Sequence, residues 1–360
     1  MRVLVIGSGL GGLAAALTAV ERRYEVTVVT KAGISEANTA WAQGGIAVAR
    51  GANDSPSLHA SDTMRAGAGA GDPRAIEVLT QEGAAVLDWL QALGARFDCD
   101  ADGQLARGLE AAHSVPRVYH AGGDATGAEI ERALVSAIRT TAIAVVEHTA
   151  LTDLVVRDGR VVGIDTVDAD GSARRWLADA VVLATGGAGQ LYRHTTNPTV
   201  ATGDGVAAAI RAGAQVADLE WYQFHPTALA VPEPSLVSEA VRGEGAVLRN
   251  REGERFLLAV HPDAELAPRD VVARAVAGEA LLQFFCGESA RVVLGHARIG
   301  VAGPGMIAQG RLEISVVPAR AGTTDGEIQR SIRLPSASNA MPIAWRKACL
   351  TSSGWPYWKA

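Results

Sequence analysis

"VLVIGSGLGGLAAALTAV", residues 3–20, constrains this chain more than any other stretch. A short apolar run, Arg2 to Ile6, ends in Gly7, Gly9 and Gly12, spaced G-x-G-x-x-G, and an alanine-rich helix is expected from Leu13 to Arg22. The first glycine permits a tight turn, the second lets a pyrophosphate approach the backbone, and the third lets the helix pack on the strand. The helix N-terminus then offers N–H groups and a positive dipole end to an anion. A secretory leader would also begin basic, apolar and rich in small residues. Ordered glycines are explained by a strand, turn and helix, and a leader does not require them. With "EVTVVT" (Glu25 to Thr30) as a second strand, the segment reads as a βαβ start that binds a dinucleotide. A plain NAD site would place a carboxylate at the end of that strand, where Thr30 and Lys31 stand instead.

The remaining pattern is mixed α/β. Asp72 and Pro73 form a helix N-cap and first position, and the helix runs on to a stop at Gly94. Another helix is expected over Ala128 to Thr140. The stretch from residue 144 to Gly187 alternates apolar and polar residues, with Asp158-Gly159 and Asp170-Gly171 at the positions of hairpin turns, and ends in the buried strand of "AVVLATGG". A helix follows "TGDG", from Val206 to Ala212. From about Trp221 the pattern is irregular, as in a smaller inserted domain. With 360 residues, 48% hydrophobic and 20% charged, the chain can bury a sizeable core. The net charge of −6 argues against a nucleic-acid partner. No run reaches membrane-spanning length, and three scattered cysteines, Cys99, Cys286 and Cys349, fit neither a disulfide framework nor a zinc site. No metal is expected, and a reducing, cytoplasmic location is.

Single motifs remain ambiguous. "NTAWAQGGIA", Asn38 to Ala47, could lie against a flat ring or be an ordinary turn. His225 could be a ligand or a satisfied structural histidine, and Glu110 a site residue or a surface charge. Arg269, just behind Pro268, could serve a site or simply pair with Asp270 at the start of a helix.

The order of motifs is more telling than any one of them. "GSGLGG", "NTAWAQGGIA", "HSVPRVYHAGGDATGAEI", "LATGGAGQLYRHTTNPTVATGDG", "EWYQFHPTAL", "SEAVRGEGAVL" and "LAPRDVVARAV" together resemble the succinate dehydrogenase and fumarate reductase flavoprotein family, over Arg2 to about Val276. Within it the chain looks most like the members that oxidise L-aspartate. The resemblance implies an α/β fold. A Rossmann-like FAD-binding domain with a β-meander (1–220) would carry an incomplete inserted α+β capping domain for substrate (221–277). It implies FAD contacts at Gly7, Ser8, Gly9, Leu10, Gly11 and Gly12. Further FAD contacts would come from Lys31, from Asn38, Thr39, Ala40, Trp41, Ala42, Gln43, Gly44 and Gly45, and from Asp204. The aspartate-oxidising members carry lysine at the Lys31 position, which accounts for the absent carboxylate. Respiratory members attach FAD covalently through a histidine where this chain has Asn38, so noncovalent FAD is implied. Substrate binding is implied for Glu110, His225, Ser238, Glu239 and Arg242, and catalysis, with proton transfer, for Arg269. The family usually shows Gly-Gly where this chain has Ala111 and Ala112.

The implied reaction is FAD-dependent oxidation of L-aspartate to iminoaspartate, with oxygen or fumarate as acceptor, feeding quinolinate synthesis for NAD, with quinolinate synthase as a partner. The alternatives are a succinate dehydrogenase or fumarate reductase type of flavoprotein, and a non-catalytic remnant. The last arises from residues 278–360. They hold nine Lys/Arg against five Asp/Glu, a net of +4, whereas residues 1–277 hold 24 against 34, a net of −10. Three of seven tryptophans, Trp345, Trp355 and Trp358, crowd the last 16 residues. This segment is expected to be an out-of-frame tail that leaves the chain truncated and inactive.

Overall fold

The structure, a computed structural model, describes residues 1–192, 195–228, 236–243, 245–250, 252–285, 292–298 and 311–316. Two compact units are present. One comprises Met1–Ile46, Ala84–Ala106 and His120–Trp221; the other comprises Ala47–Gly83, Arg107–Tyr119 and Tyr222 onward.

The first unit is built on a four-stranded parallel sheet in the order Ala144–Val146, Glu25–Val29, Arg2–Ile6, Ala180–Leu183. The Arg2–Ile6 strand, central and buried from Val3 onward, reads as an unbroken apolar run because helices and meander cover it. The first helix spans Leu10–Glu21. It begins three residues earlier than the sequence suggests, with Gly9 as N-cap, so Gly11 and Gly12 lie inside its first turn. Propensity alone would keep glycines out of a helix; here the close approach of the Gly7 carbonyl demands one at Gly12. Of the other three expected helices, one starts at Pro73 as expected and runs to Ala92, and two start two residues early, at Thr126–Arg139 and Asp204–Arg211.

The meander is Thr149–Arg157, Arg160–Asp168 and Ala173–Leu177, paired antiparallel in that order. Its first turn has Asp158 and Gly159 at φ 49° and 72°, the pair of left-handed residues that a two-residue hairpin needs. At the second turn Asp168 accepts backbone N–H bonds from Asp170 and Ser172. Leu4, Ile6 and Val29 of the parallel sheet pack with Leu151 and Ile164 of the meander and Ala208 of the Asp204–Arg211 helix, which makes one core.

In the second unit, Val247–Arg249 pairs antiparallel with Val292–Arg298, and that strand with Arg311–Val316. Its core gathers Val237, Leu248, Leu257, Ala264, Ala267 and Val272. The helix opened by Arg269 runs on to Phe285, well past Val276. Of the tail expected from Gly278, residues 286–291, 299–310 and 317–360 lie outside the described residues.

The first unit also holds an uncompensated acid. Glu131, on the Thr126–Arg139 helix, is 2% exposed, and neither carboxylate oxygen has a hydrogen-bond partner. Burial pushes its pKa up to about 7. An acid with a raised folded pKa binds more protons folded than unfolded, so its stability contribution falls as pH climbs from the ordinary carboxylate range to about 7. Across that window Glu131→Gln removes a penalty on the order of 3 kcal/mol. Thermal melts should therefore show the variant gaining on the parent between pH 5 and pH 8; a gain independent of pH would show that Glu131 is not titrating.

Candidate active site

Two pockets, one in each unit, are lined by many of the candidate residues. The pocket of the first unit, about 350 Å3, is lined by Gly7, Ser8, Gly9, Leu10 and Gly11, with Thr30 and Lys31, Glu36 to Thr39, Ala184 to Gly186, and Asp204. Gly7 has φ 108°, and a Cβ there would lie 2.2 Å from the Ala184 carbonyl oxygen, so no other residue fits the turn. At Gly12 a Cβ would lie 2.0 Å from the Gly7 carbonyl oxygen, which makes this glycine a packing residue off the pocket. Gly11 faces open space. The helix has no side-chain cap from Gly9, and only Leu10 N–H is met nearby, by Thr39 Oγ1 at 2.9 Å. An uncapped helix start beside an open glycine is a cradle shaped for phosphate.

Lys31 binds both Asp204 and Thr202. Burial opposes ionisation of Asp204, but these hydrogen bonds hold its pKa below the ordinary value. Asn38 and Thr39 line the pocket; Ala40, Trp41, Ala42, Gln43, Gly44 and Gly45 do not. Gln43 nonetheless keeps a buried Oε1 with no partner, an acceptor held ready for a donor that protein does not supply. The cradle and this orphaned oxygen fit a bound dinucleotide with an extended ring system.

The pocket of the second unit, about 250 Å3, is lined by Asp62, Thr63, Ala66, Glu110 to His113, Gln223, Glu239 and Pro268 to Asp270. Glu110, Glu239 and Arg269 therefore share one wall system. Arg269 does not pair with Asp270, whose carboxylate binds Arg274 at 2.7 Å. Its Nε donates instead to Glu239 Oε2, and its Nη1 reaches Gln223 Oε1 at 3.2 Å. Behind Glu239, Arg242 Nη2 lies 3.3 Å from Oε1 and Nη1 donates to the Glu265 carbonyl at 2.6 Å. Arg242 is 2% exposed, and burial lowers its pKa from the usual arginine value. The result is a line of charged groups, Arg269, Glu239 and Arg242, running from the pocket wall inward. Ser238, buried, precedes Glu239.

His225 and Arg242 do not line the pocket, but both feel the charges of Arg269 and Glu110. Burial, then the Arg269 charge, pushes the His225 pKa down to about 4, so it is neutral at ordinary pH. Its Nδ1 lies 2.8 Å from the Thr227 carbonyl oxygen.

Asp62, His113 and Gln223 are among the pocket residues that escaped the sequence reading. Gln223 sits inside the quoted "QFHPT", two residues from His225, and could have been found there. Asp62 and His113 carry no local signal, because their neighbours in space are remote in sequence. Asp62 accepts from Ser114 N and Oγ, from Arg65 and from Arg117. Burial opposes its ionisation, but these bonds hold its carboxyl well below the usual range. Among the described residues no cluster of His, Cys, Asp and Glu could hold a metal ion. No described helix is long and apolar enough to cross a membrane.

The sequence matches the family described as FAD binding domain over residues 2–284. The chain belongs to this family. Its matched region includes both pockets and most of the Arg269–Phe285 helix, and so extends past Val276. An L-aspartate oxidase of Streptomyces coelicolor is 49% identical over 285 residues, covering 76% of this chain and 49% of the relative. An L-aspartate oxidase of Caulobacter vibrioides is 47% identical, covering 77% and 55%. The chain thus spans about half the length of these curated relatives. Among solved structures, an E. coli quinol fumarate reductase superposes with TM-score 0.76 at 27% identity, over 84% of this chain and 54% of that one. Sdh1 of Mycobacterium smegmatis gives 0.67 at 38% identity, over 78% and 50%. The fold is that of the fumarate reductase flavoproteins, and the cofactor of the family is FAD.

The pocket geometry carries a stability prediction. Ala112 has φ 65°, in the left-handed region. An alanine there costs about 1–2 kcal/mol, partly offset because glycine frees the unfolded chain by about 0.4–1 kcal/mol. Ala112→Gly should melt at or slightly above the parent temperature, and Ala112→Val clearly below it. A glycine variant that melts well below the parent would show that the backbone is not left-handed here.

Proposed function

We propose that this chain is the FAD-binding and substrate-binding part of a flavoenzyme that oxidises L-aspartate to iminoaspartate. The observation that carries the reading is the second-unit pocket. It sets Arg269, a fixed cation, beside Glu110, a buried carboxylate, with the Arg269–Glu239–Arg242 line behind them. L-Aspartate has two carboxylates and one ammonium. Arg269 suits a carboxylate, and Glu110 suits the ammonium that succinate and fumarate lack. The identity to L-aspartate oxidases supports the same choice over a succinate or fumarate enzyme.

Oxidation requires the substrate amine to be neutral, so that its lone pair assists as the Cα hydrogen departs with its electron pair. When bound, FAD supplies the two-electron acceptor for that hydrogen. The residues of this chain orient the substrate and manage charge. Arg269 holds a carboxylate and remains protonated at any working pH. Glu239, between Arg269 and Arg242, holds the Arg269 guanidinium in place on the pocket wall. His225, neutral at working pH, offers a ring nitrogen without adding charge. Oxygen or fumarate would reoxidise the flavin. The product would feed quinolinate synthesis for NAD in the cytoplasm, with quinolinate synthase as the consuming partner.

The family match runs to residue 284, past the boundary expected at Gly278, and we read the residues beyond 284 as a tail foreign to the family. That reading is supported by its reversed charge balance. On it, the chain as given binds its ligands but does not turn over. A soluble full chain with stoichiometric FAD and aspartate turnover would show the tail to be native.

Two tests address the function. First, FAD is held noncovalently, because Asn38 cannot form the histidyl bond. Acid precipitation of the yellow protein should leave all the flavin in the supernatant; flavin in the pellet would refute it. Second, residues 1–284 joined to the C-terminal half of a curated relative should bleach anaerobically on L-aspartate. Arg269→Leu in that chimera should abolish bleaching, by about a thousandfold or more, while FAD binding persists. Normal bleaching in the variant would remove Arg269 from catalysis.

A further inference from the structure

Arg117 is the largest fully buried side chain among the described residues, at 0% exposure. Its guanidinium forks Asp54, with Nε to Oδ2 at 3.0 Å and Nη2 to Oδ1 at 2.8 Å. Nη1 uses its two hydrogens on Asp62 Oδ2 at 2.6 Å and His113 Nδ1 at 3.2 Å. Two carboxylates flank this cation, both almost wholly buried, so its charge and orientation are fixed.

That arrangement decides the chemistry of His113. Arginine only donates. Nδ1 of His113 must therefore be the acceptor, and the ring's single proton must sit on Nε2. The Arg117 charge also opposes a second proton, on top of the stronger effect of burial; Asp62, Glu110 and Glu239 act the other way. His59, whose ring is tilted 55° to that of His113 at 5.6 Å between centroids, is likewise kept below its ordinary pKa, by burial first and by Arg117 and His113 next. His113 is thus a neutral imidazole of one tautomer, half-buried, on the wall of the second-unit pocket. The loop that carries it is held in place. Asp62 grips Ser114 through both N and Oγ, at 2.9 and 2.7 Å, and Ala112 N–H donates to the Leu266 carbonyl.

We propose that His113 is a substrate ligand whose Nε2–H, fixed in that tautomer by Arg117, donates a hydrogen bond to a carboxylate oxygen of the acidic amino acid bound in the pocket. This rests on the aspartate reading above. The wall already carries four carboxylates, Asp62, Glu110, Glu239 and Asp270, against one cation, Arg269. A substrate with two carboxylates needs a second donor on this wall, and a neutral one leaves the Glu110 and Glu239 charges intact. Arg117 and Asp62 are positioning residues: they act through His113 and its loop.

The test uses the full chain loaded with FAD and labelled with 15N in its histidine rings, with the His113 signals assigned by their loss in His113→Gln. Without ligand, Nδ1 should show the shift of an unprotonated nitrogen and Nε2 that of a protonated one. Saturation with L-aspartate, or with succinate as the analogue lacking the amine, should move the Nε2 proton downfield. His113→Ala should weaken L-aspartate binding by about ten- to a hundredfold, and His113→Gln, which keeps an N–H donor, should restore most of it. A merely structural histidine would lower the melting temperature without a ligand-dependent Nε2 shift. Protonation at Nδ1, or unchanged affinity in His113→Ala, overturns the assignment and leaves the aspartate reading standing. A parent chain that binds neither L-aspartate nor succinate overturns both.

Discussion

Everything in the first unit depends on the approach of one glycine to two strands. Gly7 N–H donates to the Val29 carbonyl at 2.9 Å, on the Glu25–Val29 side. On the other side its α-carbon faces the Ala184 carbonyl with no room for a Cβ. The turn is therefore pinned to both neighbours of the central strand. That contact fixes where the Leu10–Glu21 helix begins and aims its N-terminus into the cleft. A substituent at Gly7 would clash with backbone, which cannot swing aside as a side chain can. The cofactor cradle thus follows from sheet packing rather than from any single ligand residue.

The second unit is organised by charge. Three buried or half-buried arginines, Arg117, Arg242 and Arg269, are each tied to a carboxylate. Losing one partner of such a pair strands the other in a poor solvent for ions, at about 3–5 kcal/mol. These pairs are therefore weak stabilisers but strict organisers. Arg117 draws together Asp54, Asp62 and the 113–114 loop, while Arg269 and Arg242 share Glu239. Because the fork of arginine is rigid, the Arg117–Asp54 pair fixes direction as well as distance. Glu131 is the contrast: a buried carboxylate with no cation beside it, so its proton takes the place of a partner.

The glycine spacing, the apolar run before it and the hairpin turns at Asp158-Gly159 and Asp170-Gly171 were legible in the sequence. Each is a local requirement: a positive φ, a missing Cβ, a period of two. The helix at Pro73 starts where the sequence puts it, whereas three others start two or three residues early, each with a glycine in its first turn that local propensity rejects. The cofactor stretch from Ala40 to Gly45 matched the family pattern, yet only Asn38 and Thr39 line the cleft in the structure.

What the sequence determined by itself was the class of fold and the kind of cofactor. Glycine motifs and charged motifs are written in neighbouring positions, so they can be read without knowing what lies across the space. Only the tertiary structure decided how those residues are used. It gave Arg269 to Glu239 and Gln223 instead of Asp270, set Ala112 in a left-handed turn, and placed a buried arginine against one nitrogen of His113. The partners Asp54, Asp62 and Arg117 are separated by up to 63 positions along the chain. A tautomer or an ion-pair partner depends on distance and direction through space, and a linear order of residues carries neither.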